Sequence, residues 1–325
     1  MSGTHRVYVS RALPEASLQR LRERLPEARI EVNPHDRVLT AAELREAAGG
    51  CDALVCTLAD RVDGALLEAL APRLRVVSTF AVGFENIDLD AARRLGVRVA
   101  HTPGVLTDAT AEVAVGLLLD CARRISEGDR LTRRGAFAGW TPTFHRGQAL
   151  YGRTVGLVGA GRIARRVAST LRRGFDCPLL VHSRSPRPAW ESELGARFVS
   201  LEMLLEESDF VSLHCPHTPE THHLIDEAAL ARMKPTACLV NTARGAVVDE
   251  AALVRALAAG RIAGAGLDVY EREPALAPGL ADCENVVLAP HIGSATFAAR
   301  DAMGRLCVDA VVAVLRGDEP EHALV

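Results

Sequence analysis

Val155-Gly-Leu-Val-Gly159-Ala-Gly161-Arg-Ile-Ala164 sets Gly159, Gly161 and Ala164 at the spacing G-x-G-x-x-A, directly behind an apolar strand and at the opening of a helix. In that context each small residue has a task. Gly159 permits the tight turn, Gly161 lets backbone approach a pyrophosphate, and Ala164 lets the helix pack on the strand. The first-turn amides of Arg162 and Ile163 then offer hydrogen bonds and a partial positive charge to phosphate. The segment is read as the dinucleotide-binding turn of a doubly wound parallel sheet, the Rossmann arrangement. About 20 residues on, a site for NAD normally carries an acid for the ribose 2′-hydroxyl. Here the next strand ends in Ser183-Arg184-Ser185-Pro-Arg187, with no acid before Glu191. A carboxylate would repel a 2′-phosphate whereas a guanidinium pairs with it, so NADP(H) is the expected cofactor, with NAD(H) possible.

Outward from this turn, short apolar strands alternate with amphipathic helices on both sides, the rhythm of parallel sheets with crossover helices. Upstream the strands fall at Arg6–Ser10, Arg29–Val32, Ala53–Cys56, Val76–Thr79 and Val97–Ala100. A long helical pattern over Thr107–Arg124, with Val113, Leu117, Leu118 and Cys121 on one face, reads as a connector between domains. The stretch Arg133–Tyr151, rich in Gly, Thr and aromatic residues, breaks the pattern. From Thr154 the alternation resumes, with strands at Thr154–Val158, Leu179–His182, Phe210–His214, Cys238–Asn241, Ala263–Val269 and Val286–Ala289. A last helix over Ala295–Leu315 returns to the first unit. The expected fold is therefore α/β, with two doubly wound parallel-sheet domains: a discontinuous one over 1–101 and 291–325, and a dinucleotide-binding one over 102–290.

Composition agrees with two domains, since 325 residues with 48% apolar content exceed what one core usually holds. A formal net charge of −3 gives no electrostatic reason to expect nucleic acid as a partner. No apolar run reaches the roughly 18 residues of a spanning helix, and no membrane role is expected. The eight cysteines are scattered without any C-x-x-C pair, which fits free thiols in a reducing, cytoplasmic setting.

Three later segments carry groups suited to carbonyl reduction: Asn241-Thr-Ala-Arg244-Gly, Gly266-Leu-Asp268-Val-Tyr-Glu-Arg-Glu273-Pro, and Pro290-His291-Ile-Gly-Ser-Ala. Each stands at or just past the C-terminal end of a strand, the edge at which open α/β sheets bind ligands. Adding hydride to a ketone builds negative charge on oxygen, and an acid must supply a proton as it develops. His291 suits that role. Arg244 can bind a carboxylate through two parallel hydrogen bonds or polarise the neighbouring carbonyl, and never loses its charge. A carboxylate beside the imidazole favours imidazolium and fixes the ring, a task given to Glu273 with Glu271 as the rival.

Together these segments resemble the signature of the D-isomer-specific 2-hydroxyacid dehydrogenases, most closely the glyoxylate/hydroxypyruvate reductase branch, over nearly the whole chain. The resemblance implies a flavodoxin-like substrate domain beside the Rossmann domain, and Arg244, Glu273 and His291 as the catalytic set. It extends to Val82-Gly83-Phe-Glu-Asn86-Ile-Asp88, similar to the family's substrate loop, and to Thr102-Pro-Gly-Val-Leu-Thr107, similar to its interdomain helix entry. It assigns a small 2-oxo acid substrate to the amides of Val82 and Gly83, to Leu58, Arg244 and His291, and to Trp140 reaching the pocket of a partner subunit in a homodimer. Asp268 is implied as the acceptor for the nicotinamide amide. Further cofactor contacts are implied at Thr107, Cys215, Pro216, Thr221, Thr242, Ala243, His291 and Gly293. One departure is His101, which stands where Asn is common before Thr-Pro-Gly.

Blander readings apply elsewhere. His214, His217, His222 and His223 with Cys215 suggest a metal cluster, but no second cysteine lies at ligand spacing, and no metal is expected. Other members of the superfamily, of D-lactate or phosphite type, and a corepressor-like scaffold that senses the dinucleotide are the alternatives to a reductase.

Overall fold

The computed structural model describes residues 4–185 and 187–325. The chain divides into two compact units, Met1–Leu106 with Ala295–Val325, and Thr107–Ser294. The seams fall a few residues later than the sequence suggests, for a local reason in each case. Thr102 donates its amide to Ala81 O (2.9 Å) and so stays with the first unit. Ile292 and Gly293 donate theirs to the Asp268 carboxylate (2.7 and 2.8 Å), which holds the chain around His291 to the second.

The first unit runs β1 (Arg6–Val9), α1 (Glu15–Arg24), β2 (Arg29–Val32), α2 (Ala41–Ala47), β3 (Ala53–Cys56), α3 (Gly64–Leu70), β4 (Val76–Thr79), α4 (Leu89–Leu95) and β5 (Arg98–Ala100). Its sheet has the order β2-β1-β3-β4-β5, all parallel. Strands β3 and β4 are buried at every position, as expected of parallel strands covered on both faces. Helix ends are set locally. Asp63 and Asp88 accept from the backbone of Leu66 and Ala91, and Thr40 forms a reciprocal box with Glu43.

The second unit contains α5 (Thr107–Arg123), α6 (Ile125–Arg133), β6 (Val155–Val158), α7 (Arg162–Phe175), β7 (Leu179–His182), α8 (Pro188–Leu194), β8 (Arg197–Phe198), α9 (Leu201–Glu207), β9 (Phe210–Leu213), α10 (Glu227–Arg232), β10 (Cys238–Asn241), α11 (Glu250–Ala258), β11 (Gly264–Leu267) and β12 (Val286–Leu288). The parallel sheet order is β12-β11-β10-β9-β6-β7-β8, so the chain reverses direction across the sheet at β6, where β9 and β7 flank it. That reversal is the topological switch point at which such sheets bind ligands. On α5, Leu117 and Leu118 are buried and pack with β6 and α7 residues in one cluster. The helix read over Thr107–Arg124 is α5, and a further helix, α6, follows it at once. Arg124 takes a left-handed conformation (φ 56°), and the Asp120 carboxylate accepts from Ser126 N (2.8 Å) to start α6. The final helix α12 (Phe297–Arg316), capped by Thr296, packs on α1 and β4 of the first unit.

Candidate active site

The turn after β6 is shaped by what cannot fit there. Gly159 sits at φ 107°, and a Cβ on it would lie 2.7 Å from the His214 carbonyl and 2.8 Å from Cys215 N, so the loops after β6 and β9 abut only because this residue is glycine. Gly161 is the cap residue of α7, and a Cβ added there meets nothing within 4 Å. There is thus open space at Gly161, beside the first-turn amides of Arg162 and Ile163, the groups a helix leaves unpaired. Ala164 is fully buried under the helix. Across the turn, Thr221 Oγ1 donates to Pro216 O (2.7 Å) and accepts from Thr218 N (2.8 Å), folding the loop after Cys215 back on itself. Burial lowers the pKa of His214 to about 4, so this ring is neutral where the two loops meet.

Thr242 Oγ1 is buried with no hydrogen-bond partner among the described residues. An orphaned hydroxyl at the end of β10, open space before a helix N-terminus, and a glycine that lets two loops close on each other are what a bound dinucleotide would use. The residues present fit that group. Ser183 is half-buried with its Oγ near Ser185 N (3.4 Å), and Arg184, Ser185 and Arg187 are exposed. Hydrogen bonds from the Thr218 hydroxyl and from its own backbone amide hold the Glu220 carboxyl below its ordinary range, with the charge of Arg184 adding to the effect.

At the C-terminal ends of β10 and β11 the charged residues assemble. Asn241 turns the chain by accepting from Ala243 N (3.0 Å) and donating to Arg244 O (2.9 Å), and Arg244 Nη1 donates to Ala243 O (2.7 Å). Gly245 follows because nothing larger fits: a Cβ there would stand 1.8 Å from the Tyr270 carbonyl carbon. Backbone against backbone, this contact brings the Arg244 turn onto the segment that bears Glu273. The Glu273 carboxylate accepts from Tyr270 N at Oε1 (3.0 Å) and from His291 Nδ1 at Oε2 (2.8 Å). Burial pushes the Glu273 carboxyl up, but the hydrogen bond and charge of His291, with the charge of Arg244, outweigh it and leave the group below its ordinary range. His291 itself adopts φ 55°, a conformation rare for a residue with a side chain, and Tyr270 Oη ties down the preceding loop by donating to Ala289 O (2.8 Å). Asp268 is almost wholly buried. Desolvation raises its pKa while the amides of Ile292 and Gly293 pull the other way.

The sequence profile of the D-isomer specific 2-hydroxyacid dehydrogenase NAD binding domain matches residues 115–293. A glyoxylate reductase from Thermococcus kodakarensis is 48% identical over 319 residues, 97% of this chain and 94% of that protein. The chain belongs to the D-isomer-specific 2-hydroxyacid dehydrogenase family, in its glyoxylate reductase branch. Solved relatives agree over the full length. The TT0316 protein from Thermus thermophilus is 45% identical with a TM-score of 0.90, the match covering 98% of this chain and 100% of that one. An NADPH-dependent glyoxylate/hydroxypyruvate reductase from Sinorhizobium meliloti, solved with NADP and malonate, is 33% identical with a TM-score of 0.84, covering 99% and 97%. The dehydrogenase is thus an NAD(P)-dependent oxidoreductase.

The remaining expected residues of this dehydrogenase are placed as follows. Leu58, Val82 and Gly83 lie in loops of the first unit, with Leu58 41% exposed beside Phe80 in a cavity of about 610 Å³. Trp140 is 80% exposed on the irregular stretch after α6. Thr107 opens α5, and Thr110 and the Asp268 carboxylate press on Gly293. Glu271, the rival of Glu273, turns elsewhere: its carboxylate lies 3.2 Å from His223, and its amide donates to Glu250 (2.8 Å). His217 and His222 pair with each other at 3.3 Å, and among the described residues no group of three or more His, Cys, Asp or Glu is arranged to hold a metal ion. No helix among them is long and apolar enough to cross a membrane. Two supporting residues escaped the sequence reading, Tyr270 and Glu250. Both act by fixing backbone near the site, and a polar residue with that task carries no distinctive spacing.

Proposed function

We propose that the protein reduces glyoxylate and hydroxypyruvate to glycolate and D-glycerate, with NADPH preferred over NADH. The observation that carries the reading is the ion pair between His291 Nδ1 and Glu273 Oε2 at 2.8 Å, with the charge of Arg244 acting on the same carboxylate. With Nδ1 committed to Glu273, Nε2 of His291 is the nitrogen left to face a carbonyl oxygen and to give up a proton there. Arg244 binds the substrate carboxylate and stabilises the charge that grows on the carbonyl oxygen. The amides of Val82 and Gly83 take the other side of the carboxylate, and Leu58 borders the substrate. When bound, the reduced nicotinamide supplies the hydride, and Asp268 accepts from its amide. Thr107, Gly159, Gly161, Arg162, Ile163, Cys215, Pro216, Thr221, Thr242, Ala243 and Gly293 form its seat.

Two features support NADPH: a serine at position 183 where an acid would read NAD, and exposed guanidinium groups at Arg184 and Arg187. The name of the Sinorhizobium relative, an NADPH-dependent glyoxylate/hydroxypyruvate reductase, runs the same way. Eight free thiols fit a cytoplasmic enzyme, and the exposed Trp140 fits a homodimer in which this ring reaches the other subunit's substrate. The test is a panel of 2-oxo acids assayed with both reduced cofactors. Highest kcat/KM for glyoxylate or hydroxypyruvate with NADPH is expected. Preference for pyruvate, or for NADH, would overturn the substrate or the cofactor assignment, and feeble turnover with every acid would favour a dinucleotide-sensing scaffold.

A further inference from the structure

The loop that carries Val82 and Gly83 is gripped by one dipeptide, His101-Thr102. The amide of Thr102 donates to Ala81 O at 2.9 Å. One residue along, the imidazole of His101 bonds through Nδ1 to Val82 O at 2.9 Å. These two carbonyls belong to the two peptide groups whose N–H donors are Val82 N and Gly83 N. A trans peptide is planar with C=O and N–H on opposite sides, so holding each oxygen toward residues 101 and 102 aims each N–H away from them. Among the described residues neither amide donates to an acceptor. Two neighbouring amides held in place without partners are a donor pair available to an anion.

We infer that His101 is a positioning residue for substrate binding: its imidazole fixes the Val82–Gly83 peptide so that Gly83 N–H meets the carboxylate of the 2-oxo acid. A carbonyl oxygen only accepts, so Nδ1 carries the proton in this bond. The donor also polarises the amide, which strengthens its N–H toward an anion. The ring is held at its edge by Phe84, with centroids 5.9 Å apart and planes at 78°. The backbone of His101 has a separate duty, donating to His322 O (3.3 Å), and that contact survives any change of side chain.

The atom count makes the inference testable. Nδ1 of histidine and Nδ2 of asparagine are equally many bonds from Cα, so asparagine can place a donor where the imidazole does, whereas glutamine sets its donor one bond further out and alanine has none. The proposal rests on the reading of Val82 and Gly83 as carboxylate donors. The experiment compares His101→Asn, His101→Gln and His101→Ala by steady-state kinetics with NADPH and glyoxylate, together with thermal midpoints and titration of oxalate, an unreactive dicarboxylate, onto the enzyme with NADPH. The Ala and Gln variants are expected to raise KM for glyoxylate and the oxalate dissociation constant by about 5–10-fold, with kcat and KM for NADPH within about twofold of the unaltered enzyme. His101→Asn is expected to restore both values. Unchanged KM and oxalate affinity in a folded Ala or Gln variant, or an Asn variant as impaired as these, would overturn the proposal while leaving the reductase reading intact. Failure of the unaltered enzyme to reduce any 2-oxo acid would remove that reading, and this proposal with it.

Discussion

The two units share a construction, parallel strands with crossover helices, but equip the C-terminal ends of their strands differently. In the first, the loop after β4 presents peptide groups whose carbonyls are held by Thr102 and His101. In the second, the loops after β10 and β11 present Arg244, Asp268 and Glu273, with His291 hydrogen-bonded to Glu273. Fixed peptide dipoles can hold a carboxylate at any pH, but they cannot deliver a proton. Titratable side chains can do so, at the cost of depending on protonation. In the proposed function the first unit offers the substrate peptide donors alone, whereas the second offers a guanidinium and a proton donor as well.

Substitutions separate these contributions. His291→Ala removes the proposed proton donor, and kcat for glyoxylate reduction should fall about 10³-fold with NADPH affinity retained; a stopped-flow trace of NADPH oxidation checks both. Gly245→Ala drives a methyl into the Tyr270 backbone, and should lower unfolding stability by about 3 kcal/mol or more, read from denaturant midpoints. Glu273→Gln leaves the ring without its carboxylate and should cost about 10–100-fold in kcat. This variant also carries a sign in pH. The folded-state pKa of Glu273 is lowered, so the stabilisation from its ion pair is complete above the ordinary carboxylate range and is lost as pH falls through the lowered value. Unfolding midpoints of the unaltered enzyme should therefore drop toward those of the Gln variant on acidification, and parallel curves would refute the pairing. Arg184→Ala should raise KM for NADPH about tenfold and leave KM for NADH within about twofold. Glu271→Gln, which touches His223 and not His291, should change kcat by less than about twofold.

The cofactor turn could be read from its letters because its requirement is local. Gly159 is needed where φ is 107° and two loops abut, and the spacing to Gly161 and Ala164 reports a strand-to-helix turn within ten residues. Arg244, Glu273 and His291 were legible for another reason: each lies on the segment that follows a strand of one sheet, so topology carries them to one edge. Glu273 was chosen over Glu271 on the resemblance, not on a physical difference between them. Both are carboxylates of one loop, and only the fold shows that one meets His291 and the other His223. Helix α6 went unread: it starts directly after α5, and no Gly or Pro at Arg124 marks a second start. His101 was visible only as a departure from a pattern; its task depends on a carbonyl that sequence does not orient.

The proposed binding of one carboxylate by the peptide donors of Val82 and Gly83 and the guanidinium of Arg244, with His291 set against the adjoining oxygen, can be seen in a crystal structure of the enzyme with NADPH and oxalate. One oxalate carboxylate within hydrogen-bond distance of Gly83 N and the Arg244 guanidinium, and an oxygen of the other facing Nε2 of His291, is the predicted result. Oxalate bound away from Arg244, or a His291 ring turned from the nicotinamide, would contradict it.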